Sequence, residues 1–232
     1  MNGNMGEVRY REEDATPLRR AIAQKMTESK TTVPHFYLKV DVDMENLIVF
    51  RNEINNKLGF KVSYNDILMK AVAHVFANYP EYNVSYSDGK IRYYESVNIS
   101  LAVAVEGGLL TPTILECEKK SIEQISKNAK VLIEKARNKK LRAREQMGGV
   151  FTITNLGMFG IDEFSAIINP PQSMILAVGA IRDEAIVKQG QIVPGKRMKM
   201  TLSVDHRALD GAMAAVFLDN LRKTLENPDM LK

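Results

Sequence analysis

The chain predicts an α/β (α+β sandwich) fold, a central mixed β-sheet flanked by helices. Three observations predict it. Segments of helical periodicity alternate along the whole length with short runs rich in Val, Ile, Phe and Thr. No Gly/Ser/Pro-rich linker interrupts the 232 residues, 45% of them hydrophobic, so one large core is expected rather than two small ones. A β-rich run from Met198 to Val204 feeds an apolar helix, Ala212 to Leu225, through the charged turn Asp205-His206-Arg207-Ala208-Leu209-Asp210-Gly211.

Residues 1–15 are polar and read as a flexible N-terminal segment or linker remnant, with the folded domain over 16–232. Thr16-Pro17 opens the first helix, Thr as cap and Pro at the first helical position. Leu18, Ile22 and Met26 form its inward face, and Arg19, Arg20 and Lys25 read as solvated. Pro34 ends it. Phe36 to Asp43 alternates as a half-buried strand. Asp43 is expected to cap a helix over about 44–58 that stops at Gly59. Ser63 is expected to cap another over about 64–79, with Asp66 at its positive end. His74 falls inside that helix's apolar pattern and reads as a packed histidine. His35 reads as a structural or surface one.

Val84 to Tyr94 predicts a hairpin around Asp88-Gly89. Ile99 to Val105 predicts one buried strand. Ser121-Ile122-Glu123-Gln124 is a capping box opening a helix to about Lys135, and 134–144 is a basic run, ordinarily solvated. A strand over Val150 to Thr154 is followed by glycines that force a bend. Ser173 to Ala180 is a buried strand, and Ala185 to Val193 a hairpin around Gln189-Gly190. Gly211 is expected to supply backbone angles that a side chain forbids.

Several function classes are excluded at this level. The single Cys117 leaves no internal disulfide, and Glu116 and Glu118 beside it disfavour a nucleophilic thiolate. No apolar run approaches a membrane span, and the first residues lack the layout of a signal peptide. A net charge of +4 is too small for a nucleic-acid tail. The glycine-rich stretch 148–160 carries no Lys-Ser/Thr, so it is not a P-loop, and its spacing is not a dinucleotide fingerprint. His206 and Asp210 make only two candidate metal ligands where three or four are usual, so no metal is expected. His206 remains as the side chain best suited to move a proton near neutral pH, presented at a strand-to-helix turn.

Longer strings carry a resemblance. Asp205-His206-Arg207-x-x-Asp210-Gly211 is followed by an amphipathic helix and Leu225-Glu226-Asn227-Pro228. Gly148-Gly149-Val150-Phe151-Thr152-Ile153-Thr154-Asn155-Leu156-Gly157 precedes it, as do Arg19-x-x-Ile22-Ala23, Pro34-His35-Phe36, Gly108-Leu109-x-Thr111-Pro112 and Asn169-Pro170-Pro171. Together they resemble the dihydrolipoamide acyltransferases, the cores of 2-oxoacid dehydrogenase complexes, which are similar in fold to chloramphenicol acetyltransferase. The resemblance covers nearly all of the chain from Thr16.

The resemblance implies transfer of an acyl group from an S-acyldihydrolipoyl thiol to coenzyme A, with no acyl-enzyme. It makes His206 the general base and puts Thr154, where serine is common, opposite the oxyanion. Asp210, with Arg19 and Gly211 in support, would fix the turn that holds His206. Gly108, Thr111, Asn155 and Gly157 would belong to the substrate channel. It further implies a homotrimer with each site shared between chains, trimers joined into a hollow cage, and a C-terminal Met230 and Leu231 plugged into an adjacent trimer. The implied partners are a lipoyl domain absent from this chain, a decarboxylase and a dihydrolipoamide dehydrogenase. The chain is therefore expected to be a catalytic core cut from a longer one, intracellular, in the cytoplasm or a mitochondrial matrix. Leu156-Gly157-Met158-Phe159-Gly160 is closer to the pyruvate type than to the succinyl type, which favours acetyl or branched-chain acyl groups. A free-standing CoA-dependent acetyltransferase of the same fold and a non-catalytic structural core are the alternatives.

Overall fold

The computed structural model describes residues 10–232, so the expectation for the N-terminal segment falls mostly outside the described residues. Residues 10–16 are exposed and form no regular element. The helices are α1 (Pro17–Thr32), α2 (Glu45–Leu58), α3 (Tyr64–Asn78), α4 (Ile122–Arg137) and α5 (Gly211–Glu226). The strands are β1 (His35–Asp43), β2 (Val84–Ser87), β3 (Lys90–Tyr93), β4 (Ile99–Leu101), β5 (Val103–Val105), β6 (Gly108–Leu110), β7 (Thr113–Ile114), β8 (Phe151–Asn155), β9 (Met174–Lys188) and β10 (Gln191–Asp205).

Six strands form one mixed sheet in the order β1-β10-β9-β8-β4-β7. β8 runs parallel to both β9 and β4, and the other pairs are antiparallel. One row of paired residues crosses five strands as Leu38, Leu202, Leu176, Ile153 and Leu101, facing the helices. α3 and α5 lie against this face, with α2 and α4 beside them. Phe76 of α3, Phe151 of β8 and Phe217 of α5 meet at its centre, ring centroids 5.0–5.9 Å apart. Burying such rings removes the most apolar surface per residue, so this triangle anchors the helix layer.

Local signals set the helix ends. Thr16 accepts from Arg19 N, and Ser63 with Asp66 and Ser121 with Gln124 form complete capping boxes. Gly59 closes α2 in the left-handed region. Asp43 acts one position earlier than expected: its carboxylate accepts from Glu45 N, while Met44 is the capping residue proper.

Three expectations change. The run 99–105 is two strands, because β4 stays in the main sheet while β5 leaves it to pair with β6 in a separate hairpin. β9 and β10 are continuous 15-residue strands, so the buried strand and the hairpin after it are one element, joined at Gln189-Gly190. Gly211 does not use its freedom. It is the first residue of α5, its φ is not positive, and a Cβ there would meet nothing within 4 Å.

The opposite face of the sheet carries Tyr37, Ser203, Ile175, Thr152, Ser100 and Thr113 in the matching row. A strap of irregular chain, residues 160–169, crosses this face. It starts against β9, where Gly179 and Ala180 bulge opposite Lys199. Ala180 N donates to Ile161 O, and a Cβ on Gly179 would come within 1.8 Å of Asp162 O. Glycine is therefore required at 179 by close approach. The strap is pinned further along by Lys39–Glu163, by Ser203 Oγ to Ala166 O and by Ser29 Oγ to Ile168 O. α1 lies on this side too, with Leu18 and Ile22 over β6. No described helix is long and apolar enough to cross a membrane.

Candidate active site

β10 ends at Asp205 and α5 begins at Gly211, so His206 sits in a turn of five residues between two rigid elements. Its backbone N–H donates to Pro34 O at 3.0 Å, which ties the turn to the start of β1. Its ring leans on Phe36, centroids 4.7 Å apart, and the residue as a whole is exposed. Asp205 O accepts from both Ala208 N and Leu209 N. Asp210 caps α5, its carboxylate accepting from Met213 N at 2.8 Å. A carboxylate is well placed there against the positive end of the helix.

Thr154 lies on β8. Strand alternation points Phe151 and Ile153 at the helices and Thr152 and Thr154 the other way. Thr154 lines a cleft of about 410 Å³ between α1, the β5–β6 hairpin and the strap. Leu18, Ile22, Met26, Leu109 and Ile167 supply most of its apolar wall. Lys25 borders it, and desolvation there holds its ammonium below the ordinary lysine range against the opposing pull of Glu28. Behind the wall runs a buried polar chain: Thr152 Oγ1 donates to Gln172 Oε1 at 2.5 Å, Gln172 Nε2 to Ser100 Oγ at 3.4 Å, and Ser100 Oγ meets Thr113 Oγ1 at 2.9 Å.

His206 and Thr154 do not meet within one chain. Thr154 pairs with Ala177, Ala177 with Thr201, and His206 is five residues beyond Thr201. Two inter-strand steps of about 4.8 Å and five residues at about 3.3 Å put them on the order of 19 Å apart. One small acyl group cannot touch both.

The other expected residues divide. Thr111 lines the Thr154 cleft. Gly108 shapes it from behind, since a Cβ there would lie 2.8 Å from Ile22 Cδ1. Asn155 and Gly157 line a different cleft, of about 370 Å³, beside the start of α3. Asn155 donates to Asn65 Oδ1 and accepts from Gly157 N, and Gly157 lies so close to β9 that a Cβ would sit 2.7 Å from Gly179 O. They hold the bend after β8. Arg19 is not brought to Asp210: among the described residues it forms no ion pair, and its N–H bonds Thr16.

Asp205 and Arg207, noted in the sequence only as part of the charged turn, carried no assigned role there. The Asp205 carboxylate is buried and takes a two-pronged ion pair from Arg207, and Arg207 lies 4.7 Å over the Tyr86 ring. Their placement on either side of His206 was the available signal. His35 is structural, as expected: Nε2 accepts from Ile168 N and Nδ1 contacts Val33 O. His74 accepts from Asn78 on α3, and burial together with Lys70 lowers its pKa. Cys117 is fully buried and desolvation pushes its thiol up to about 12, so it is no nucleophile at neutral pH.

The chain is thus an α/β protein whose mixed sheet presents a histidine at a strand-to-helix turn and, on the face away from the main helix layer, a hydroxyl in a cleft. The model of the 2-oxoacid dehydrogenases acyltransferase (catalytic domain) matches residues 7–232, and the chain belongs to that family. It is 45% identical over 226 residues to the dihydrolipoyllysine-residue acetyltransferase component of pyruvate dehydrogenase complex of Rickettsia prowazekii, covering 96% of this chain and 55% of that protein. The chain thus spans about half the length of the curated relatives it matches. Among solved structures, the dihydrolipoamide acetyltransferase of Azotobacter vinelandii superposes with a TM-score of 0.91 at 31% identity, covering 97% of this chain and 95% of that one. The cubic core of a pyruvate dehydrogenase multienzyme complex gives 0.91 at 32%, covering 99% and 96%. Chloramphenicol acetyltransferase, at 14% identity and a TM-score of 0.53 over 90% of this chain and 94% of that one, shares the fold alone.

Proposed function

We propose that this chain transfers an acetyl group between a dihydrolipoyl thiol and coenzyme A, at sites completed by two copies of itself. His206 removes the proton from the CoA thiol. The thiolate sulfur attacks the thioester carbonyl, and the Thr154 hydroxyl donates to the oxyanion that forms. When the intermediate collapses, the C–S bond to the dihydrolipoyl group breaks and that sulfur takes the proton back from His206. No acyl-enzyme is needed, in keeping with the buried, protonated Cys117. A positioned base contributes roughly 10²–10⁴-fold and one oxyanion donor roughly 2.7–4 kcal/mol of the barrier.

The observation that carries the shared site is the separation of His206 from Thr154 within one chain. A neighbour in a closed trimer can bring its Thr154 to His206. The Azotobacter enzyme was studied for the role of a serine, a histidine and an asparagine in its mechanism. They are 52 and 4 positions apart, the spacing of Thr154, His206 and Asp210 here. Threonine keeps the hydroxyl and adds a methyl group, and Asp210 adds a charge that caps α5. The acetyl assignment rests on the relatives, which are named acetyltransferases of pyruvate dehydrogenase complexes. By the same likeness the chain is the catalytic domain, from residue 16, of a longer protein whose lipoyl domain and partner enzymes lie elsewhere, and its trimers assemble into a cage. Leu231 is buried in its own chain and Met230 is half-exposed, so of the two only Met230 is offered outward to a neighbouring trimer.

The test is acyl transfer from S-acetyldihydrolipoamide to CoA, with isobutyryl and succinyl donors beside it. His206→Ala is expected to lose roughly 10²–10⁴-fold in kcat, and acetyl is expected to be the best donor. Co-expressed His206→Ala and Thr154→Val chains are expected to recover about a quarter of wild-type activity, since random mixed trimers contain one intact site each. Mixed trimers as inactive as either parent would sink the shared site, and an active His206→Ala would sink the base.

A further inference from the structure

The turn that carries His206 is braced by a device outside the proposed chemistry. Asp205 and Arg207 flank His206, and their side chains close over the backbone between them. Asp205 Oδ1 accepts from Arg207 N and Nε, both at 3.0 Å, and Oδ2 accepts from the terminal nitrogen at 2.9 Å. The same carboxylate is only 3% exposed, so it is desolvated and depends on this partner. Arg207 is held from its other side by Tyr86 of the β2–β3 hairpin, guanidinium to ring 4.7 Å. That hairpin is itself fixed to the strand beside the turn, Ser173 Oγ donating to Val84 O and Asp205 N to Ser173 O. Among the described residues His206 has two anchors of its own, its N–H to Pro34 O and its ring against Phe36. By contrast Asp210, the carboxylate expected to hold the turn, spends its oxygen on α5 and reaches no cation among the described residues.

We propose that Asp205 and Arg207, backed by Tyr86, are the positioning pair that sets the direction of the His206 ring. This rests on His206 being the base. The planar fork of arginine matters here: it binds both carboxylate oxygens and stacks on a ring at once, which lysine cannot do. A displacement of about 1 Å in a base costs up to about a hundredfold in rate.

Arg207→Lys keeps the charge that neutralises Asp205, so the fold survives, and loses the fork. It is expected to lower kcat about tenfold to a hundredfold, with KM for CoA and dihydrolipoamide and the urea midpoint unchanged. Arg207→Ala is expected to fall further and to be restored in part by millimolar guanidinium chloride, not by sodium chloride. Tyr86→Leu is expected to lower kcat less than Arg207→Lys. His206→Ala, run alongside, separates the two readings. If it is inactive while both Arg207 variants keep wild-type kcat, the positioning pair is overturned and the base stands. If it is active, both fall. A kcat loss that follows a lowered urea midpoint, without guanidinium rescue, assigns the pair to the fold alone and also overturns the proposal.

Discussion

On the helix side of the sheet, Leu38, Leu202, Leu176, Ile153 and Leu101 stand side by side across five strands. One residue along each strand, on the other side, the row is Tyr37, Ser203, Ile175, Thr152 and Ser100. Both rows are largely buried, but by different means. The leucine row is sealed by helices whose apolar stripes need no partner atoms beyond contact. The hydroxyls on the other side lie under irregular chain, the strap over Ser203 and the segment of Gly149 and Gln172 over Ser100 and Thr113, and they are met by polar atoms: Ser203 finds Ala166 O, Thr152 finds Gln172, and Ser100 and Thr113 bond each other. A face satisfied by apolar contact is fixed by volume. A face satisfied by hydrogen bonds leaves a hydroxyl such as Thr154 available wherever the cover opens into a cleft.

Substitutions that separate stability from rate test this division. Phe217→Ala on the helix side removes a ring that meets Phe76, Phe151 and Tyr82. It is expected to cost about 3–5 kcal/mol in urea unfolding, with kcat per folded molecule unchanged. Thr154→Val on the cleft side keeps the shape and removes the hydroxyl. Its expected effect is the reverse: a fall in kcat of roughly 10²–10³-fold, with stability within about 1 kcal/mol. If Thr154→Val unfolds the protein while its remaining folded fraction turns over normally, the division between the faces is wrong.

The two faces also differed in how far the sequence disclosed them. Period-two alternation over Phe36 to Asp43 marks the helix-facing residues directly, and Thr16, Ser63 and Ser121 announce helix starts because a cap is a local contract between neighbours. Asp88-Gly89 and Gln189-Gly190 mark their hairpins for the same reason, both members of each pair adopting positive φ. What was hidden is non-local. Nothing in Ile99 to Val105 says that the chain changes sheets after Leu101. Gly157 and Gly179 are fixed by chain that arrives from elsewhere. In the proposed site, the motifs drew attention to His206 and Thr154. Asp205 and Arg207 stood in the same motif unread, because their bond, reaching round the histidine, is visible only once the turn is folded.

The polar chain under the cleft gives a smaller effect. Gln172→Met is expected to leave Thr152 without its acceptor and to remove the amide that reaches Ser100 in a buried site, costing about 1–3 kcal/mol. Because the same chain lies behind Thr152 in the cleft wall, KM is expected to rise while the helix-side near-ultraviolet signal of its tyrosines stays unchanged. A loss of stability near zero would mean that the hydroxyl face is held by apolar contact after all, and the contrast between the faces would narrow.

The last effect belongs to the helix side and is absent at neutral pH, appearing only at high pH. Cys117 lies in the apolar layer, its Sγ donating to Ile114 O at 3.3 Å, and desolvation pushes the folded thiol from 9.0 up to about 12. The unfolded chain gives up that proton near the ordinary value. Stability from the buried thiol is therefore complete below about pH 9 and is lost as pH rises towards about 12. The slope is at most about 1.4 kcal/mol per pH unit. Urea titrations between pH 8 and 11 are expected to show a shallower decline for Cys117→Ala than for the wild type, although the variant starts from a lower midpoint at pH 7 because of the cavity it leaves. Parallel declines would mean that the thiol is solvated in the folded state. The helix layer would then be less tightly sealed than its leucine row implies, and the two faces of the sheet would differ in chemistry but not in access to water.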